Sequence, residues 1–379
     1  MKILIVSTFP THPTSAGNRA WILGQTETLK ELGHDVYFLF VLHKSFHAVS
    51  RQTIEETRNY WGDHYIEYSL STFDIVRIKY LSFCSRYKKG YICCDDKYPN
   101  GLSKFVENLN RVLNFDMCIV NYFFLTKLLE DVSFHRTAVS THDCYSYRDI
   151  RTKDPGTMSL TANDEAKAMQ RANFIFALQE YEKIYFQYLA PKSTTLNVYG
   201  TFNYSQSSIK GNHNILFLAS GINYNIEGIS WFINTVMPEI RKNFQDAQLL
   251  IGGSICSQLK EFSKVPGINL QGYIDDIEAF YNLGDIAINP VSRGTGLKIK
   301  TFESLSYDKI TIVHPHSMVG IFEPDQAPIF VAESANDWVE TFKVVWSNIS
   351  VVIEKKNKNK HYLLCLKKYI EEQYTKIDK

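Results

Sequence analysis

The sequence predicts an α/β protein made of two tandem Rossmann-like domains. Three observations predict it. Short continuous apolar runs recur, each passing into a polar loop and then a helical stretch, which is the grammar of buried parallel strands. The pattern restarts once, behind a polar stretch that contains Asn203, Ser205, Ser207, Ser208, Gly211 and Asn212. The chain has 379 residues, which suits two domains of about 150 residues each.

The elements follow in order. Residues 3–6 are an unbroken apolar run, a loop rich in Pro, Thr, Ser and Gly covers 8–18, and a helix over 20–32 ends at Gly33. A strand at 36–42 follows. Further strands are predicted at 117–120 and 137–140, running into Asn121-Tyr122 and Thr141-His142-Asp143. A helix over 163–171, a strand at 174–178, a helix over 180–188 and a strand at 196–199 close this half. The second half reads strand 215–218, loop 221–225, helix 228–243, strands 248–251, 268–270 and 286–288, helix 300–307 and strand 311–313. The expected division is an N-terminal domain over 1–200, a linker over 201–213 and a C-terminal domain over 214–360. A final helix over 361–379 is expected to pack back towards the first domain. Open parallel sheets bind ligands at the carboxyl ends of their strands, so a cleft between two facing domains is the expected place for chemistry.

Composition narrows the function. Lys plus Arg number 41 against 40 for Asp plus Glu, a net charge of +1, which argues against a nucleic-acid partner. The seven cysteines form no CxxC pair, and reduced thiols in a cytoplasmic protein are expected. The apolar start is too short for a signal peptide, and no window approaches about 18 apolar residues. The 23 Tyr and 24 Phe are a surplus. Between Arg77 and Lys104 they alternate with basic residues, which suits either an anionic membrane surface or a plain basic face. The basic run at 355–360 reads as a solvated loop, and Glu180 and Glu182 as a solvated helix face. In His314-Pro315-His316 the intervening proline and the lack of a third ligand argue against a metal.

The most informative segment lies at 290–306. A strand ends at Asn289-Pro290, Gly294-Thr295-Gly296 makes a turn, and Lys298 and Lys300 enter a helix that carries Glu303 one turn later. Backbone N–H groups at a helix start, with lysines beside them, suit a diphosphate. A carboxylate on the same face suits the hydroxyls of a ribose. On composition alone, a solvated Lys/Glu helix behind a glycine turn fits equally well.

This segment resembles the donor-binding region of family 4 (group 1) glycosyltransferases, which have the GT-B fold and commonly read Gly-Ser/Thr-x-Leu-Lys before a Glu-bearing helix. Here the match is Gly294-Thr295-Gly296-Leu297-Lys298. It continues through 309–313 to Gly320, and is joined by the Gly221 to Asn225 stretch with Trp231-Phe232, and by 267–275. The N-terminal half is similar more loosely, in Gly17 and Asn18 of a loop over 13–18, in Gly33-His34-Asp35-Val36, in Thr141-His142-Asp143 and in 172–182. Two positions depart from the pattern. Thr295 stands where the family has the first of two acids, and the usual Arg and Lys after the first C-domain strand are absent.

The resemblance implies a retaining glycosyltransferase that uses a UDP- or GDP-sugar and needs no cofactor or metal. The lack of any Asp-x-Asp agrees with that. It implies a saccharide or lipid-linked acceptor, in capsule, lipopolysaccharide or glycolipid assembly at the inner face of the membrane. Glu303 would take the donor ribose. Lys298, Lys300, Arg293 and the turn with Leu297 would take the diphosphate, with Gly221 and Asn225 on the donor side. His142 would meet sugar, and Gly17, Asn18 and Asp143 would line the acceptor side. A nucleotide-sugar epimerase or hydrolase of the same fold is an alternative. A non-catalytic binding subunit is another, motivated by Thr295.

Overall fold

Ile3, Leu4, Ile5 and Val6 are all completely buried. A strand covered on both faces has no polar side to show, which is why the parallel strands read as unbroken apolar runs. The computed structural model describes residues 1–14, 17–42 and 49–379. The chain divides into two units. The first is Met1–Thr201 with Thr295–Leu297 and Tyr369–Lys379, and the second is Phe202–Gly294 with Lys298–Lys368.

The first unit holds seven parallel strands: β1 (Lys2–Ser7), β2 (Asp35–Leu42), β3 (Tyr65–Ser69), β4 (Met117–Asn121), β5 (Arg136–Ser140), β6 (Phe174–Ala177) and β7 (Thr194–Asn197). Their order is β3-β2-β1-β4-β5-β6-β7. The direction of winding reverses between β1 and β4, so their carboxyl ends form the topological switch point. Between the strands run α1 (Gly17–Glu31), α2 (Arg51–Trp61), α3 (Thr72–Lys89), α4 (Leu102–Leu113), α5 (Leu128–Asp131), α6 (Arg148–Thr152), α7 (Ala162–Met169) and α8 (Glu180–Leu189).

The second unit holds six parallel strands: β8 (Asn214–Leu218), β9 (Gln248–Gly252), β10 (Ile268–Gly272), β11 (Ile286–Asn289), β12 (Ile310–Val313) and β13 (Ile329–Val331). They are ordered β10-β9-β8-β11-β12-β13, with the switch point between β8 and β11. The helices are α9 (Asn223–Trp231), α10 (Met237–Asn243), α11 (Ile277–Tyr281), α12 (Ile299–Ser306), α13 (Ala335–Ser347) and α14 (Ile349–Tyr374). Phe232, Ile240, Trp338 and Phe342 fill the core beneath this sheet.

Several expectations are corrected. α9 begins at Asn223 and not after 225. It tolerates Gly228 in its interior because the helix lies directly on the chain after β11, where a Cβ would stand 2.9 Å from the Pro290 carbonyl oxygen. The basic run at 355–360 is not a loop. It lies within α14, a stretch without Gly or Pro, and Lys356 is buried. Glu182 is buried as well and accepts from the Gln179 amide at 3.0 Å. β3 shows no fully buried residue, so no apolar run marks it in the sequence.

Residues 202–213 contain neither helix nor strand, yet they are fastened to the second unit. Phe202 stacks on Phe302 at 5.1 Å. The Ser205 N–H donates to the Ser306 carbonyl at 2.7 Å. The Asp285 carboxylate accepts from the N–H groups of Lys210 and Gly211. Ser207 Oγ accepts from both Lys309 and Lys356, at 2.9 and 2.8 Å. All seven cysteines are free thiols.

Candidate functional site

In the second unit, the chain leaves β11 through Asn289 and Pro290 at the switch point. Asn289 is buried and donates its amide to Thr301 Oγ1 at 3.1 Å, which fixes the start of α12 against the strand end. Gly294 and Gly296 have φ of 125° and 73°, a region L side chains rarely enter, so the turn needs glycine at both places. A short helical turn, Pro315–Met318, follows β12 and holds this segment. Ser317 Oγ donates to the Val291 carbonyl, and His316 Nε2 lies 3.1 Å from the Gly294 carbonyl oxygen. The His-Pro-His motif therefore has a bracing role. Burial pushes His316 down to about 4, aided by the nearby Lys298 charge, so the ring is neutral and its Nε2–H donates to that carbonyl.

Lys300 and Glu303 lie on α12, both partly buried. Burial brings the Lys300 amine down to about 8, with Glu303 pulling it upward and Lys298 adding to the fall. Burial pushes the Glu303 carboxyl up, opposed by a hydrogen bond and by Lys300. That bond comes from the Tyr281 hydroxyl, 2.9 Å from Glu303 Oε1. Tyr281 is itself stacked on Tyr307 at 4.8 Å. One oxygen of Glu303 is thus oriented by α11. The sequence gives no sign of Tyr281, which reads as an ordinary apolar helix residue.

The other donor-side candidates divide. Lys298 is the residue before α12, and its carbonyl accepts the Thr301 N–H. Arg293 makes a two-point ion pair with Glu227 of α9, so part of its charge is already neutralised. Gly221 is exposed, and its N–H donates to Ser254 Oγ at 3.3 Å. Asn225 is fully buried and donates to the Ser220 carbonyl at 2.9 Å. It braces the loop from within rather than facing a ligand.

In the first unit, the ends of β4 and β5 carry a second group. Tyr122 and His142 both have left-handed backbones, with φ of 68° and 63°, which is costly for such side chains. Their rings stack at 4.0 Å with an interplanar angle of 4°. His142 Nε2 lies 2.8 Å from Asn121 Oδ1, and the Trp21 ring meets its edge at 6.2 Å. Burial pushes His142 down to about 3, so it is neutral. The buried atoms Thr8 Oγ1 and Asn121 Nδ2, at the ends of β1 and β4, have no hydrogen-bond partner. Asn18 hydrogen-bonds Tyr122, and Gly17 opens α1. Ser15 and Ala16 of the 13–18 loop lie outside the described residues.

Asp143 is buried and meets Arg148 Nε at 2.7 Å. The Thr295 hydroxyl, which groups with the first unit, donates to the same oxygen at 2.9 Å. Burial raises the Asp143 carboxyl and Arg148 opposes it. The following loop is held by the buried Glu165 carboxylate, which accepts from the N–H groups of Tyr145 and Ser146 and from the Tyr185 hydroxyl. Arg148 and Glu165 are too far from their partners in sequence for spacing to reveal them.

Residues 212–348 match the family model described as glycosyl transferases group 1. An uncharacterized 44.6 kDa protein in the cps region of Klebsiella pneumoniae is 24% identical over 327 residues, 80% of each chain. Similar solved structures include sucrose-phosphate synthase from Thermosynechococcus elongatus, with TM-score 0.69, 10% identity, and 100% and 98% coverage of the two chains. S. aureus TarM, in complex with UDP and an α-GlcNAc-glycerol, gives TM-score 0.69 at 8% identity and 99% coverage of both. The pneumococcal O-GlcNAc transferase GtfA with UDP and GlcNAc gives 0.66 at 11% identity, covering 100% and 98%. The protein belongs to the group 1 glycosyltransferases and has their GT-B fold.

Proposed function

We propose that the protein transfers a glycosyl unit, with retention, from a UDP- or GDP-sugar to a saccharide or lipid-linked saccharide of a surface polysaccharide. The observation that carries this is the group on α12, where Lys300 and the Tyr281-oriented Glu303 follow directly on a glycine turn at the switch point of the second sheet. Two similar structures hold UDP, and the relative from a cps region supports a capsule-type product.

The chemistry follows from charge. As the bond between the anomeric carbon and the diphosphate oxygen breaks, the sugar becomes cationic and the diphosphate gains negative charge. Lys298, Lys300 and the N–H groups at the start of α12 would stabilise that charge more in the transition state than in the bound donor. The diphosphate would thus be held without a metal. Glu303 Oε2 would accept from ribose while Oε1 stays with Tyr281. In the first unit, neutral His142 would bind a sugar hydroxyl. It would not act as a general base, because its proton affinity is too low. Work at a membrane face, on a lipid-linked acceptor, is part of the same proposal.

The test is a donor panel with mass-spectrometric detection of the product, run on wild type and Glu303→Ala. The expected result is sugar transfer from one donor, with donor KM raised at least about tenfold in the variant. Unchanged turnover in Glu303→Ala would overturn the site. Nucleotide release that needs no acceptor would indicate a hydrolase or epimerase.

A further inference from the structure

α3 is folded with its apolar stripe facing outward. Phe73, Val76, Tyr80, Phe83 and Tyr87 are 69%, 62%, 66%, 68% and 84% exposed. Their spacing alternates three and four residues, so at 100° per residue they share one stripe along four turns. The helix is anchored by its opposite face, where Ile78 and Asp74 are buried. Its ends are also fixed. Ser71 and Asp74 form a capping box, and Gly90 closes the other end with φ 76°. The stripe is therefore not the frayed edge of a marginal helix. It is a built surface, and Phe83 and Tyr87 stack along it at 6.4 Å.

The flanks are basic. On the same helical wheel, Lys79 and Arg86 lie seven residues apart on one side of the stripe and Lys88 lies on the other, all exposed. Asp74, the helix's one acid, is turned inward. A second copy of this surface would oppose these cations to their own kind. Tyr80 and Tyr87 present an apolar ring with a polar tip, the form that settles between acyl chains and headgroups. A helix lying flat, with aromatics on one face and Lys and Arg at its margins, fits an interface that is apolar below and anionic above.

We propose that this face of α3 docks the protein on an anionic lipid surface. For what the membrane would supply, a lipid-linked acceptor, the proposal rests on the function argued above; the surface itself does not depend on it. Among the described residues no helix is long and apolar enough to cross a membrane, so contact through α3 would be peripheral and salt-sensitive.

The test is sedimentation of the full chain with vesicles of phosphatidylcholine alone and of phosphatidylcholine mixed with phosphatidylglycerol. Wild type is expected to bind the mixed vesicles and to be released by salt. Phe83→Ser with Tyr87→Ser, and separately Lys79→Glu with Arg86→Glu, should each reduce binding at least about tenfold. Both pairs are exposed, so the urea midpoint should not move, and transfer to a soluble acceptor should not change. Equal binding by both double variants would overturn the proposal, as would wild type with no preference for the anionic vesicles. Concentration-dependent dimerisation lost in the Phe83/Tyr87 variant, without vesicle binding, would assign the face to a second copy and also overturn it. Intact vesicle binding with no glycosyl transfer would refute the function and leave this surface standing.

Discussion

Replacing Lys300 by methionine should stabilise the protein and weaken its hold on the donor at the same time. The amine is drawn from the ordinary lysine value of 10.5 to about 8, chiefly by burial. A fall of that size is ~3 kcal/mol held against the charged form at neutral pH. The side chain is only partly buried, and its charge also helps Glu303 to ionise, so a net gain of ~1–2 kcal/mol is expected for Lys300→Met. The sign with pH is definite. Below about 8 the amine is charged in both folded and unfolded chains, and the full cost is present. Between about 8 and 10.5 the folded protein releases its proton while the unfolded chain keeps it, so wild type gains on the variant. Above 10.5 both are neutral and the difference closes. Urea denaturation of the two proteins at pH 7 and pH 10 reads this directly. Thermal shift with UDP and GDP should show donor affinity about tenfold lower in the variant. A variant less stable than wild type at pH 7, or an advantage that persists unchanged to pH 10, would refute the reasoning.

Two further outcomes are expected. Neutral His142 must stay unprotonated as the unfolded chain takes up a proton below 6.5, so it lowers stability as pH falls from 6.5 towards 3. His142→Asn, which tolerates the left-handed backbone, should therefore lose ~1 kcal/mol less than wild type between pH 7 and pH 5 in urea denaturation; an identical acid response would contradict the buried neutral ring. Gly228→Ala places a methyl 2.9 Å from the Pro290 carbonyl oxygen and 3.0 Å from the Val291 Cα. These are backbone atoms that cannot swing aside, so a destabilisation of ~1–3 kcal/mol and a raised donor KM are expected, checked by chemical denaturation and initial rates.

The elements legible in the sequence were those with a local signature. β1, β4, β8, β11 and β12 are short runs buried on both faces, and Gly294, Gly296, Lys300 and Glu303 sit together in one stretch of chain. β3 was hidden because no residue of it is fully buried. α14 was divided because its cations suggested a loop, whereas Lys356 is buried among Ser207 and Asp308. Tyr281, Arg148 and Glu165 act on partners between 5 and 22 residues away, by side-chain geometry that spacing does not encode. Asn225 shows the reverse case, a polar residue in a ligand-facing position of the chain whose amide is needed indoors.

The polar stretch at 202–213 also sets where this chain can be cut. Its serines and glycine invite a cut at Asn214, where β8 begins. Such a cut would remove the acceptor shared by Lys309 and Lys356, the two N–H groups on the Asp285 carboxylate, and the ring that covers Phe302. Two buried ammonium groups would lose an oxygen partner together, the costliest kind of loss in a protein interior. A fragment of the second unit should therefore start no later than Phe202, and a protease probing the intact protein should find these residues a poor substrate despite their composition.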